Sequence, residues 1–114
     1  MEREKEVQTL LQEFQDLQQQ LQSVVMQKDS LKVQQLEIDA ALDELENVKG
    51  EGYKIVGPIM VKRSVEELKD ELKSKRSTID LRLRALEKTE NRLAQKLQTI
   101  QSRLRQLLST QPPS

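Results

Sequence analysis

A chain of 114 residues with 35% apolar residues, 2% aromatic residues and no tryptophan fills a compact globular core of that length poorly. Nineteen basic residues balance nineteen acidic ones, so no net field draws nucleic acid or an anionic membrane, and recognition falls to shape and apolar contact. The absence of cysteine and histidine removes thiol chemistry, disulfides, the commonest metal ligand and the commonest general base. A third of the residues are charged, yet leucines recur regularly among them. That pattern points to long amphipathic helices in an elongated chain rather than to disorder. With no signal-peptide core and no long apolar span, the expected compartment is the cytoplasm.

The first predicted element is a helix over about 4–48. Its apolar positions step by three and four through Val7, Leu10, Phe14, Leu17, Leu21, Val24, Lys28, Leu31, Gln35, Ile38, Leu42 and Leu45, with Lys28 and Gln35 the polar members. A seven-residue repeat held this long marks a coiled-coil seam rather than the wider stripe of a globular helix. The two polar members are read as fixing register, because nothing near them converges on a ligand. Lys49 and Gly50 then supply a cationic last turn and a residue able to adopt the left-handed stop conformation.

The stretch "KGEGYKIVGPIMVKRS" holds all three glycines. Tyr53–Val56 and Ile59–Lys62 are β-prone runs around Gly57-Pro58, with glycine suited to the positive φ of a type II′ turn and proline to the position after it. A β-hairpin over about 53–62 is expected. Alternation counted along each strand puts Tyr53, Ile55, Ile59 and Val61 on one face and Lys54, Val56, Met60 and Lys62 on the other. An isolated two-stranded hairpin is marginal in water. Tyr53, Ile55, Val56, Ile59, Met60 and Val61 are therefore candidate oligomerisation residues, needing other subunits at the edges and over the apolar face. A plain connector would be served by glycine and polar residues.

The second helix is expected over about 65–109, with the Ser64 hydroxyl as cap and Glu67 reaching back. Val65, Leu72, Ile79, Leu86, Leu93, Ile100 and Leu107 recur every seven residues, joined by Leu83, Leu97 and Leu104. The prolines of "QPPS" end it, leaving a short tail over 110–114. Each arm of about 45 residues would be roughly 65 Å long. Matched arms fold back as an antiparallel coiled coil, with Leu45 near Leu68, Val7 near Leu107 and Glu37 near Arg76, so that the basic run Lys73, Lys75 and Arg76 faces Glu37, Asp39 and Asp43. The expected fold is mainly α, one domain over 1–114, a long helical hairpin whose single β-hairpin assembles into an intersubunit β-barrel. An enzyme is disfavoured: carboxylates alternate with lysines along helical faces, and no Gly-x-x-x-x-Gly-Lys phosphate loop is present. No catalytic residue, metal site or cofactor is assigned.

Helix, "YKIVGPIMVK" hairpin and helix, with "FQDLQQQLQSVVMQK", "ALDELE" and "LRLRALEKTENRLAQKLQ", together resemble the β-type subunit of the prefoldin family, over nearly the whole chain and with an archaeal cast. The most specific part is Tyr53, Lys54, Gly57, Val61 and Lys62. A single hairpin suits the β type, since α-type subunits carry two. The short tail "STQPPS" departs from the pattern in lacking a charged extension. The resemblance implies a hexamer of two alpha and four beta subunits. Such a hexamer is an ATP-independent holdase that captures non-native proteins at its coiled-coil tips and delivers them to a group II chaperonin. On that reading Leu11 and Leu108, surplus to the seam, join Val7, Leu10, Phe14, Leu104 and Leu107 as candidate client-binding residues. Leu10, Phe14 and Leu104 serve equally well to seal the end of the coil. Glu2, Glu4 and Glu6 suit either a basic chaperonin surface or a helix N-terminus. The alternative is a coiled-coil scaffold or adaptor oligomerised through its hairpin.

Overall fold

The computed structural model describes residues 1–109; the expected tail over 110–114 lies outside them. Its element order is α1 (Glu2–Leu45), β1 (Glu51–Val56), β2 (Ile59–Ser64) and α2 (Val65–Ser109). The helices form because leucine, glutamine, glutamate, lysine and arginine dominate them, all strong helix formers, and no glycine or proline falls inside either.

Residues 1–28 form one packed unit with residues 85–109. Within it Val24, Leu93, Ile100, Leu104 and Leu107 are buried, and Val7, Leu10, Phe14, Leu17 and Leu21 are half-buried along the facing stripe of α1. Lys28 sits in this seam with its ammonium 2.9 Å from a Glu90 carboxylate oxygen. Its partner is therefore a charge on the other helix, which fits a role in register.

Residues 29–84 form the second unit. Leu31, Ile38, Val65, Ile79 and Leu83 are its buried side chains. Gln35, the other polar seam member, donates from its amide to Asp80 at 2.5 Å. Arg76 pairs with Asp39 at 2.7 Å, one of the three acidic residues that the sequence register set opposite the basic run. Helix α1 stops at Leu45 rather than near Val48. Its last carbonyls are taken by tightened bonds, from the Glu46 N–H to Asp43 and from the Val48 N–H to Leu45. Gly50 adopts the expected positive φ, 103°, but its carbonyl accepts the Val65 N–H at 2.9 Å. It thus closes the base of the hairpin rather than the end of the helix. At the start of α2 the Ser64 hydroxyl accepts the Glu67 N–H at 3.1 Å, as a cap should.

The two strands pair antiparallel, with Val56 opposite Ile59 and Tyr53 opposite Lys62. Gly57 takes φ 57° at the first loop position, and proline follows, as a type II′ turn requires. The face assignment made from the sequence is overturned by this register. A two-residue loop sets each odd-numbered residue of β1 opposite an even-numbered residue of β2, and opposed residues share a face. Tyr53, Ile55, Met60 and Lys62 lie together on one face, and Lys54, Val56, Ile59 and Val61 on the other.

Replacing Leu31, 5% exposed, by alanine should lower the unfolding free energy by about 2–5 kcal/mol. Replacing Leu36, 69% exposed, should change it by less than about 0.5 kcal/mol in the same urea titration followed by helical circular dichroism.

Candidate functional site

Among the described residues, the candidates fall on two surfaces where apolar side chains are left exposed by the seam. The larger is the hairpin. One of its faces turns toward the helices: Gly52 lies so close to Leu68 that a Cβ there would meet the leucine methyl at 2.9 Å. From the same face Lys54 reaches Glu71 at 2.8 Å, with Arg63 at 3.8 Å from that carboxylate. The hydrogen bond from Lys54, aided by the charges of Lys54, Arg63 and Lys75, holds the Glu71 carboxyl below its ordinary value of 4.5. Val61 is half-buried on this face.

The opposite face has no cover. Tyr53 and Met60 are exposed, as is Ile55 at 73%, with the Lys62–Glu51 ion pair of 2.7 Å at its margin. Beyond the reach of the helices, Val56 and Ile59 are exposed on the other face as well. Five of the six candidate oligomerisation residues are thus brought together in the open around Gly57 and Pro58, and Val61 is set apart from them.

The smaller surface lies in the unit of residues 1–28 and their partners. Leu11 and Leu108 are 47% and 61% exposed. Val7 and Leu108 line a shallow groove with Arg3 and Gln8. Leu104 and Leu107 are buried in the seam, and Val7, Leu10 and Phe14 are half-buried. The exposed candidates there are the two leucines that the heptad does not use. Arg3 donates from its guanidinium to the Leu107 carbonyl, and Arg103 pairs with Glu6 at 2.9 Å. These cross-links escaped sequence reasoning, as did the exposed Met26, Val33, Leu36 and Leu81; their sign was an apolar residue outside the heptad positions. Among the described residues no helix is long and apolar enough to cross a membrane, and no three acidic residues are placed to hold a metal.

Paired antiparallel helices joined through a projecting strand pair with an uncovered apolar face define a coiled-coil subunit built to assemble. The comparisons agree. The family model described as prefoldin subunit matches residues 8–111. The chain is 40% identical over 83 residues to the prefoldin subunit beta of Thermococcus kodakarensis, which spans 71% of each chain. It is 35% identical over 83 residues to that of Methanosarcina acetivorans, again 71% of each. It also superposes on the crystal structure of the prefoldin beta subunit from Thermococcus strain KS-1 with a TM-score of 0.83 and 37% identity, covering 94% of both chains. The chain belongs to the prefoldin family of chaperone subunits, and its likeness is to the beta type, archaeal members included. A beta-type subunit implies a hetero-oligomer with alpha-type subunits.

The Lys54–Glu71 contact supplies a pH test. A carboxyl whose value is lowered by folding stabilises the docked hairpin above the ordinary 4.5, and that contribution fades as the pH falls through the lowered value. Glu71→Gln at neutral pH should loosen the hairpin without changing helix content, read as faster exchange of the Lys54 and Arg63 amides. The wild type should show this loosening only in acid.

Proposed function

We propose that this chain is the beta-type subunit of an ATP-independent holdase of two alpha and four beta subunits, working in the cytoplasm, with residues 1–114 acting as one prefoldin domain. The observation that carries the reading is the exposure of Tyr53, Ile55, Val56, Ile59 and Met60 on a hairpin of only two strands. Such a hairpin is not stable by itself with its edges open and its apolar face wet. Hairpins from neighbouring subunits, closing into a β-barrel, cover both.

Non-native clients are then held at the arm ends by Leu11 and Leu108, with the half-buried Val7, Leu10 and Phe14 contributing as the last turns fray. Leu104 and Leu107 hold the ends together beneath them. Burying one such leucine is worth about 1.5–3 kcal/mol before ordering costs. One end therefore binds weakly, and several ends on one unfolded chain bind well through effective concentration. Weak single contacts also allow stepwise release to a group II chaperonin. No phosphate-binding loop exists among the glycines at 50, 52 and 57, which supports action without nucleotide.

Native mass measurement after mixing with an alpha-type subunit tests the assembly. Ile55→Asp together with Met60→Asp, on one face of the hairpin, should leave the helices formed and abolish the complex. Retention of full oligomer mass would refute the barrel. Leu11→Ser with Leu108→Ser should leave the mass unchanged and weaken suppression of aggregation of a denatured client, without ATP, by about tenfold in the concentration needed. Unaltered suppression would move client binding elsewhere, and none at all from the wild-type complex would favour a scaffold.

A further inference from the structure

On a helix packed against one partner, the positions pointing away from that partner are ordinarily polar. In the unit of residues 29–84, α1 breaks that pattern. Val33 and Leu36 are 54% and 69% exposed, and Ala40 is exposed beside them. With Glu37 they stand at steps of three, four and seven residues, so the four side chains surround one hollow on the helix surface, three aliphatic and one a carboxylate. A lone exposed leucine such as Leu81 is ordinary. Three aliphatic side chains around one hollow mark a docking face. The charges about it are one-sided. Glu37, Asp43 and Glu44 are exposed and enter none of the ion pairs among the described residues. Lys32 is the only cation of α1 after Lys28. Lys75 borders a groove with Glu44 but does not pair with it.

The placement of these carboxylates carries its own cost. Asp43 and Glu44 lie in the last turn of α1, which holds no basic residue, and the negative end of the helix dipole disfavours acidic side chains there. A cation brought by another molecule relieves that cost, and an anion adds to it. The face therefore suits a segment that carries aliphatic side chains and positive charge together. We infer that the outward face of α1, Val33, Leu36 and Ala40 with Glu37, Asp43 and Glu44, is a second client site, selective for cationic amphipathic segments of non-native proteins. Unfolded chains form such segments as nascent helices. A helix laid on α1 sets one aliphatic side chain into the hollow and its lysines or arginines on the carboxylates. This rests on the holdase reading above and adds a charge preference to it. Leu11 and Leu108 belong to the other packed unit, so the two sites can be removed separately.

The test uses the complex with the alpha-type subunit and two fluorescent amphipathic peptides with leucine at the same helical positions, one bearing lysine at every polar position and the other glutamate. By anisotropy the lysine peptide should bind about tenfold more tightly, and the gap should close as salt is raised. Val33→Ser with Leu36→Ser, both exposed and outside the seam, should weaken the lysine peptide by about tenfold with helix content and oligomer mass unchanged. Asp43→Asn with Glu44→Gln should remove the preference for lysine. Leu11→Ser with Leu108→Ser should leave that preference in place. Equal binding of the two peptides to the wild type at low salt would overturn the inference. So would a preference that survives both changes on α1 and vanishes in the Leu11→Ser, Leu108→Ser complex, which would move the site to the arm ends. Loss of oligomer mass on Val33→Ser with Leu36→Ser would make the face a subunit contact and overturn the client assignment. A wild-type complex that shows the preference on α1 yet suppresses no client aggregation would uphold the cation-selective site and overturn the holdase reading alone.

Discussion

A pair of helices packed side by side buries one stripe of each, and nothing more. Even Val65, buried as deeply as any described side chain, keeps 2% of its surface exposed. A core one stripe wide sets two rules for the remaining residues. Polar groups are tolerated inside it, because water is near and the opposite helix offers a partner, as Glu90 does for Lys28 and Asp80 for Gln35. Apolar groups outside it have no cover from the seam, and where several share one surface, as on the hairpin, their exposure marks a place suited to another molecule.

The hairpin is held by contacts of a different kind. Its base is closed by the bond from the Val65 N–H to the Gly50 carbonyl, and one face is tied to α2 through Glu71. These contacts are polar and largely open to solvent, so they orient the sheet more than they stabilise it. What they leave free is the face bearing Tyr53, Ile55 and Met60 and the edge of β1. Orientation without coverage is what an assembly element needs.

The hairpin interface and the arm end then differ in strength for a physical reason. Strand addition joins a row of backbone hydrogen bonds to apolar burial on the same segment, which favours lasting association. The arm end offers two exposed leucines and a shallow groove, with Arg3 and Arg103 spending their charges on holding the ends of the helices together. A holdase needs both: a platform that persists and a grip that lets go.

The heptad positions, the turn residues Gly57 and Pro58 and the capping Ser64 are local signals, readable from spacing and residue type, and from them the helical hairpin with its β insert was legible. So was the excess of Leu11 and Leu108 over what the seam uses. The role of Gly50 was not, since it depends on how two distant segments register against one another, and the end of α1 at Leu45 was missed because its last turns tighten through local bonds that leave no mark in the heptad. The faces of the hairpin were misjudged for a related reason. Alternation along one strand is a property of the sequence, whereas which residues of two strands share a face depends on the loop that pairs them. Spacing along the chain therefore determined which elements form. Only the tertiary structure decided that Ile55 looks outward and Val61 toward the helices, because cross-strand pairing and helix packing, not composition, choose the side that is covered.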